Sequence, residues 1–352
     1  MTVVAVHRPN VYASRLGRGA LGFVVLLAAV VAGTCIGETP IPLTTVAQVL
    51  ANKLLGAGYP LDPIDTGIIW NYRLPRAIVA ACCGTGLAIS GVVLQSLLRN
   101  ALADPYLLGI SAGASTGAVT VTIAGLGAGA VSMSLGAFIG ALLAFLLVAG
   151  LAKAAGGGVS LQGTGQIVLA GIAGSQLFNA LTSFIITKSA NAEQARGIMF
   201  WLLGNLSGAR WPDVWLAVPI ALLGLLATIW YARALDAFAF GADQAAALGI
   251  PVRTTQVVLI GVTALVTAVM VSIVGSIGFV GLVIPHAARF LVGVRHGRLG
   301  PATAIIGAVF LIAADVLSRT IIPGQVLPIG VITALVGAPI FALILLRGRR
   351  TR

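Results

Sequence analysis

One apolar run, Leu74 to Leu98, limits what this chain can become more than any other stretch. At 1.5 Å per helical residue it is long enough to cross a bilayer core of about 30 Å, where a helix satisfies every backbone polar group within its own segment. Further apolar runs recur at about 20–37, 106–124, 131–152, 166–187, 213–232, 255–275, 277–294, 301–318 and 328–346. The chain therefore reads as an all-α polytopic membrane protein with about ten transmembrane helices. Its composition, 59% hydrophobic and 9% charged with mean hydropathy +1.06, excludes a soluble domain, in which about a quarter of residues are charged.

The run divides the chain into a basic cytoplasmic tail, 1–19, carrying Arg8, Arg15 and Arg18, and a single transmembrane domain, 20–352. The first apolar run exceeds the roughly 7 to 15 residues of a signal-peptide core and is read as a retained helix. Residues 38 to 72, with Pro40, Pro42, Pro60 and Pro63, form a more polar external loop, and Trp70 and Tyr72 stand where interfacial anchors belong. The eighth run is irregular: Gly275, Gly278, Gly281 and Pro285 predict a broken or half-length helix, tolerated where its backbone is buried or lines a cavity.

The 21 Lys and Arg against nine Asp and Glu leave a formal charge of +12. Nucleic acid is not needed to explain it, because short cytoplasmic loops are enriched in Lys and Arg. With both termini inside, fourteen of the basic residues fall on inner segments and seven on outer ones, so the expectation is a multi-pass inner-membrane protein with cytoplasmic ends. Cys35, Cys82 and Cys83 all lie in apolar runs and read as buried thiols.

Catalysis has little support. None of the three lysines follows a glycine, so no Walker A loop exists, and the three histidines form no HExxH. A proton-coupled carrier would want an acid at mid-membrane. Asp315 is the one candidate, and Arg319 four residues on predicts a structural ion pair near the outer surface instead. The chain is thus expected to be no enzyme, to bind no metal or cofactor of its own, and to draw energy from another chain. The alternative is an ATP-independent secondary transporter.

Local signals mark where partners could meet it. Gly241 to Pro251, within the loop 233–254, predicts a short alanine-rich helix closed by Gly249 and stopped by Pro251: either a knob for a partner's groove or an ordinary interfacial helix. Arg73 and Arg76 bracket Pro75, which belongs in the first turn of a helix. Two cations at a helix N-terminus oppose the dipole, which points to an outside partner or to lipid phosphates. Asn100 to Pro105 reads as a capped turn, with Asp104 opening the next helix. His286, beside a proline on an apolar helix, reads as a hydrogen-bonded residue rather than a ligand. A weak echo links Gly91-Val92-Val93-Leu94, before Arg99, to Gly281-Leu282-Val283-Ile284, before Arg289.

Four stretches carry a resemblance: RLPR (73–76), SGVVLQSLLRNALADPYLLGISAGA (90–114), GSIGFVGLVIPHAAR (275–289) and LPIGVITALVGAPIFALIL (327–345). They resemble the FecCD-type permeases of iron-siderophore, haem and vitamin B12 ABC importers. The resemblance implies a permease that pairs with a second permease subunit, identical or not, and works with an ATP-binding subunit dimer, which holds the ATP and Mg, and a substrate-binding protein. It implies that Arg73, Arg76 and Arg319 meet glutamates of the binding protein, that Asp243, Leu248 and Gly249 contact the ATPase, and that Asn100, Leu102 and Thr164 narrow the cytoplasmic mouth. It also implies a pore at a two-fold axis lined by the fifth and tenth helices. This chain departs from the pattern at Val326, where the family often has glutamate.

Overall fold

A computed structural model describes residues 11–125, 132–156, 161–189 and 191–348. All regular structure among them is helical: α1 (Val11–Cys35), α2 (Leu43–Leu55), α3 (Pro63–Gly67), α4 (Leu74–Leu97), α5 (Ile110–Ala124), α6 (Met133–Ala154), α7 (Leu161–Ser189), α8 (Ala192–Leu202), α9 (Trp211–Trp230), α10 (Ala232–Phe238), α11 (Ala242–Ala247), α12 (Val252–Val274), α13 (Val280–Val292), α14 (His296–Thr320) and α15 (Ile329–Gly348). Six helical stretches are long and apolar enough to cross a membrane: Pro63–Leu97, Met133–Ala154, Gly165–Ser189, Trp211–Trp230, Val252–Val274 and His296–Thr320. Shorter apolar helices occupy the positions of the other four expected spans.

The helix expected to open at Arg73 opens ten residues earlier. Asp62 accepts a hydrogen bond from Ile64 N–H and Pro63 takes the first turn, so the N-terminal signals sit there. Pro75 then falls inside a continuous helix, and a π-helical segment, Ile68–Arg73, precedes it. There the N–H of Leu74 donates to Ile69 O, five residues back. The wider turn fits a place where proline contributes no N–H. The 38–72 loop is also more structured than a polar linker: α2 packs Val46 and Val49 against Ile41 and Ile69, all buried.

α4 is the axis of the molecule, buried along nearly its whole length among α1, α9, α12, α13 and α14. Cys83, Leu87, Met270 and Leu311 fill its core contacts, and all three cysteines are free. Where the echoed glycines meet, the chain allows no side chain: a Cβ built at Gly91 would collide with the carbonyl of Gly281. The same holds between α5 and α6, where Gly113 and Gly117 lie against Gly140 and Gly136, so the two backbones approach without side chains between them.

The eighth run is a 13-residue helix, α13, preceded by non-helical backbone with Phe279 at φ +69°. Backbone without helical partners at membrane depth must be satisfied from elsewhere. Tyr106 does so twice: its hydroxyl donates to Ile277 O at 3.0 Å and accepts from Ile277 N–H at 2.9 Å. Asn205 N–H closes on Val274 O at 2.8 Å, and Ser111 donates to Ser276.

Candidate functional site

At the end of the bundle where α1 stops, the three arginines expected to face outward are turned inward. Arg73, 8% exposed, places Nη1 3.1 Å from Cys35 O and 3.3 Å from Thr34 O, and Nη2 2.6 Å from Thr39 O. It thus puts a cation on the orphan carbonyls that end α1, where the dipole favours one. The mismatch read from the sequence disappears, because Arg73 is far from the true helix start and caps a different helix.

Arg76 donates through Nε to Asp315 Oδ1 at 2.8 Å and through Nη1 to Ser207 Oγ at 3.1 Å. Arg319 places Nε 3.2 Å from Asp315 Oδ2 and donates through Nη2 to Gly33 O at 2.7 Å. One carboxylate, 1% exposed, therefore holds two guanidinium groups and binds α1, α4, α14 and the loop before α9 together. Sequence spacing located Arg319 as a partner of Asp315; Arg76, 239 residues away, carries no local signal. Beside this cluster Trp70 stacks on Trp211 with centroids 4.8 Å apart, Trp211 Nε1 donates to Trp70 O at 2.9 Å, and Arg210 lies 4.3 Å over Tyr72.

At the opposite end, α10 and α11 form a compact corner. Gly249 adopts φ +81°, its N–H donates to Ala246 O at 2.9 Å, and Ile250 N–H donates to Ala245 O at 3.1 Å. That double bond is a Schellman closure, which requires the left-handed residue the sequence supplies. Leu235, Phe238 and Ala245 anchor the corner by burial, whereas Asp243, Leu248 and Gly249 are exposed together with Phe240.

A polar joint that sequence reading missed fastens this corner to α4 and α14. His296, buried at the start of α14, sets Nδ1 2.7 Å from Asp236 Oδ1 on α10 and Nε2 2.6 Å from Ser96 Oγ on α4. The His296 backbone N–H also donates to Asp236 Oδ1, at 2.9 Å. These residues stand 60 and 200 positions apart, so no motif could have joined them.

Of the expected gate, Asn100 accepts Leu102 N–H at 2.9 Å and receives support through its own N–H to Gln95 O, fixing the turn after α4, and Leu102 is exposed. Thr164 lies in the first turn of α7, its side chain outside the described residues. Asp104 caps the short 3-10 turn Pro105–Leu108 by accepting Tyr106 N–H at 2.9 Å. Burial pushes its carboxyl up to about 6, against the opposing effect of that bond. His286 donates through Nδ1–H to Leu282 O, 2.8 Å away, and meets the edge of Phe341.

The model of the FecCD transport family matches residues 25–347. The cobalamin import system permease protein BtuC of Halobacterium salinarum is 37% identical, over 94% of this chain and 95% of its own length. The hemin transport system permease protein HmuU of Yersinia pestis is 36% identical, over 81% and 85%. Among solved structures, an inward-facing metal-chelate type ABC transporter superposes with a TM-score of 0.77 at 29% identity, over 94% of this chain and 99% of that one. The chain belongs to the FecCD transport family, whose members are multi-pass membrane permease subunits of ABC importers.

Proposed function

We propose that this chain is the pore-forming subunit of an ATP-driven importer for an iron-siderophore complex or a related chelate such as haem or a cobalamin. Two permease subunits enclose the path, an ATPase dimer binds the α10–α11 corner, and a ligand-loaded binding protein docks on the far side. Both termini lie in the cytoplasm, as the excess of basic residues on that side requires. The observation that carries the reading is the inner corner: a short capped helix exposes Asp243, Leu248 and Gly249, while Asp236 and His296 tie its base to α4 and α14. Force applied to that helix has a hydrogen-bonded route into α4 and α14.

Docking outside is electrostatic. Two guanidinium groups share one buried carboxylate and Arg73 bonds to carbonyls beside them, so positive charge remains at that rim to draw acidic residues of the binding protein. Exposed apolar faces on α7 (Leu169, Ile172, Phe184) and α15 (Leu335, Leu343) suit the second subunit and a smooth pore. The test is reconstitution in lipid with candidate ATPase and binding-protein partners, measuring ATP hydrolysis and uptake of labelled ferric siderophore, haem and cobalamin. Hydrolysis should require the complex and fall when Leu248 or Asp243 is replaced. Uptake by this chain alone, driven by a proton gradient, would establish a secondary carrier instead.

A further inference from the structure

A cleft of about 680 Å³ opens between the ends of α4, α6, α7 and α12, and its lining includes none of the residues assigned above. Its walls are apolar for most of their extent, with Leu98, Phe145, Val148 and Ile260 among them, and no acidic side chain among the described residues lines it. Its polar residues are Lys153 on α6 and Arg253 and Gln256 on α12.

The polarity is graded along both walls. Lys153 lies at the last turn of α6 and Arg253 in the first turn of α12, so both cations stand at the same end of the cleft. Phe145 precedes Lys153 by eight residues and Gly261 follows Arg253 by eight, so over about 12 Å from its cation the α6 wall runs apolar, and the α12 wall does so apart from Gln256. The N-terminus of α12 adds the positive end of a 23-residue helix to the same mouth. Both cationic side chains are exposed, and neither makes a salt bridge among the described residues.

We propose that this cleft is a binding site for an anionic phospholipid, with an acyl chain between α6 and α12 and its phosphate at Lys153 and Arg253. Nucleotides and free phosphate would satisfy the cations and leave the apolar walls wet; a neutral lipid would fill the walls and leave the cations unpaired. A lipid with a net negative headgroup matches both. Gly261 provides a lever on the apolar half, because a Cβ built there meets no atom within 4 Å, so a larger side chain at that position projects into open space.

The experiment is native mass spectrometry of the detergent-purified full chain titrated with phosphatidylglycerol, phosphatidylcholine, or glycerophosphoglycerol, which carries the headgroup without acyl chains. Phosphatidylglycerol should bind in preference to phosphatidylcholine. The Lys153→Gln, Arg253→Gln double variant should weaken it about thirtyfold, at roughly tenfold per 1.4 kcal/mol and 1 kcal/mol per cation. Gly261→Phe should weaken it with both cations intact, and Lys153→Arg with Arg253→Lys should restore it. Equal binding of phosphatidylcholine, full competition by glycerophosphoglycerol, or unchanged binding in Gly261→Phe would each overturn the site. The glutamine variants change only exposed side chains and decide the matter if Gly261→Phe does not fold.

Discussion

The two ends of this permease treat their charged groups in opposite ways. At the outer cluster, every arginine singled out from the sequence is already bonded within the chain: Arg73 to α1 carbonyls, Arg76 and Arg319 to Asp315. At the inner corner, Asp243, Leu248 and Phe240 project from the surface, and only the base of the loop, Asp236, is held. An exposed helix can meet a partner as it stands. The outer arginines can offer only residual charge unless they exchange bonds, so contact there is coupled to the packing of α1, α4 and α14. The lesson is that a motif names residues but not the direction in which they point.

This contrast can be broken first at Asp315. Asp315→Ala leaves two buried guanidinium groups without their carboxylate and should cost about 3–5 kcal/mol, read as a lowered unfolding temperature in detergent. A wild-type melting curve would show that the outer network is not structural. At the inner corner, Gly249→Val forces a β-branched residue into the left-handed region and should cost about 1–3 kcal/mol locally, with loss of ATPase stimulation in the reconstituted complex. His296→Ala removes the joint between the corner and α4 and strands Ser96 and Asp236. It should cost about 1–3 kcal/mol and uncouple hydrolysis from uptake, whereas a mere packing role would lower stability with coupling intact.

A smaller effect separates burial from docking. The raised Asp104 carboxyl means that the folded state holds its proton more tightly than the unfolded chain, so this group weakens stability as pH rises from about 4 through about 6. Asp104→Asn keeps a capping oxygen, should flatten that dependence, and should stabilise the protein at neutral pH by about 1 kcal/mol, allowing for its partial exposure. The smallest stability change belongs to Asp243→Ala, within about 0.5 kcal/mol because the side chain is exposed. A loss of ATPase binding without a loss of stability would set the two ends apart most cleanly.

Much of the architecture was legible because a bilayer demands long apolar runs, and local punctuation survives folding. The half-length α13, the closure at Gly249 and the pairing of Asp315 with Arg319 all rest on residues within one turn or one run of each other. The start of α4 was misplaced because Pro75 signals a first turn with equal force wherever it falls, and the π segment that accommodates it has no composition of its own. α2 and α8 are short and their surroundings polar, so the hydropathy signal that revealed the spans was weak there. The Ser96–His296–Asp236 joint and the inward turn of the arginines depend on contacts across 34 to 286 residues, which no spacing rule reaches.

The glycine contacts of α4 with α13, and of α5 with α6, set a limit on how this chain can drift over generations. Where Gly91 meets the carbonyl of Gly281, and Gly113 that of Gly140, any replacement places a carbon where another backbone already stands. These positions have an alphabet of one letter, while the neighbouring apolar faces accept any hydrophobe of similar bulk. A lineage can therefore rewrite nearly all of its lipid-facing surface and keep its helix crossings in place, provided a few hydrogens are never exchanged for methyl groups.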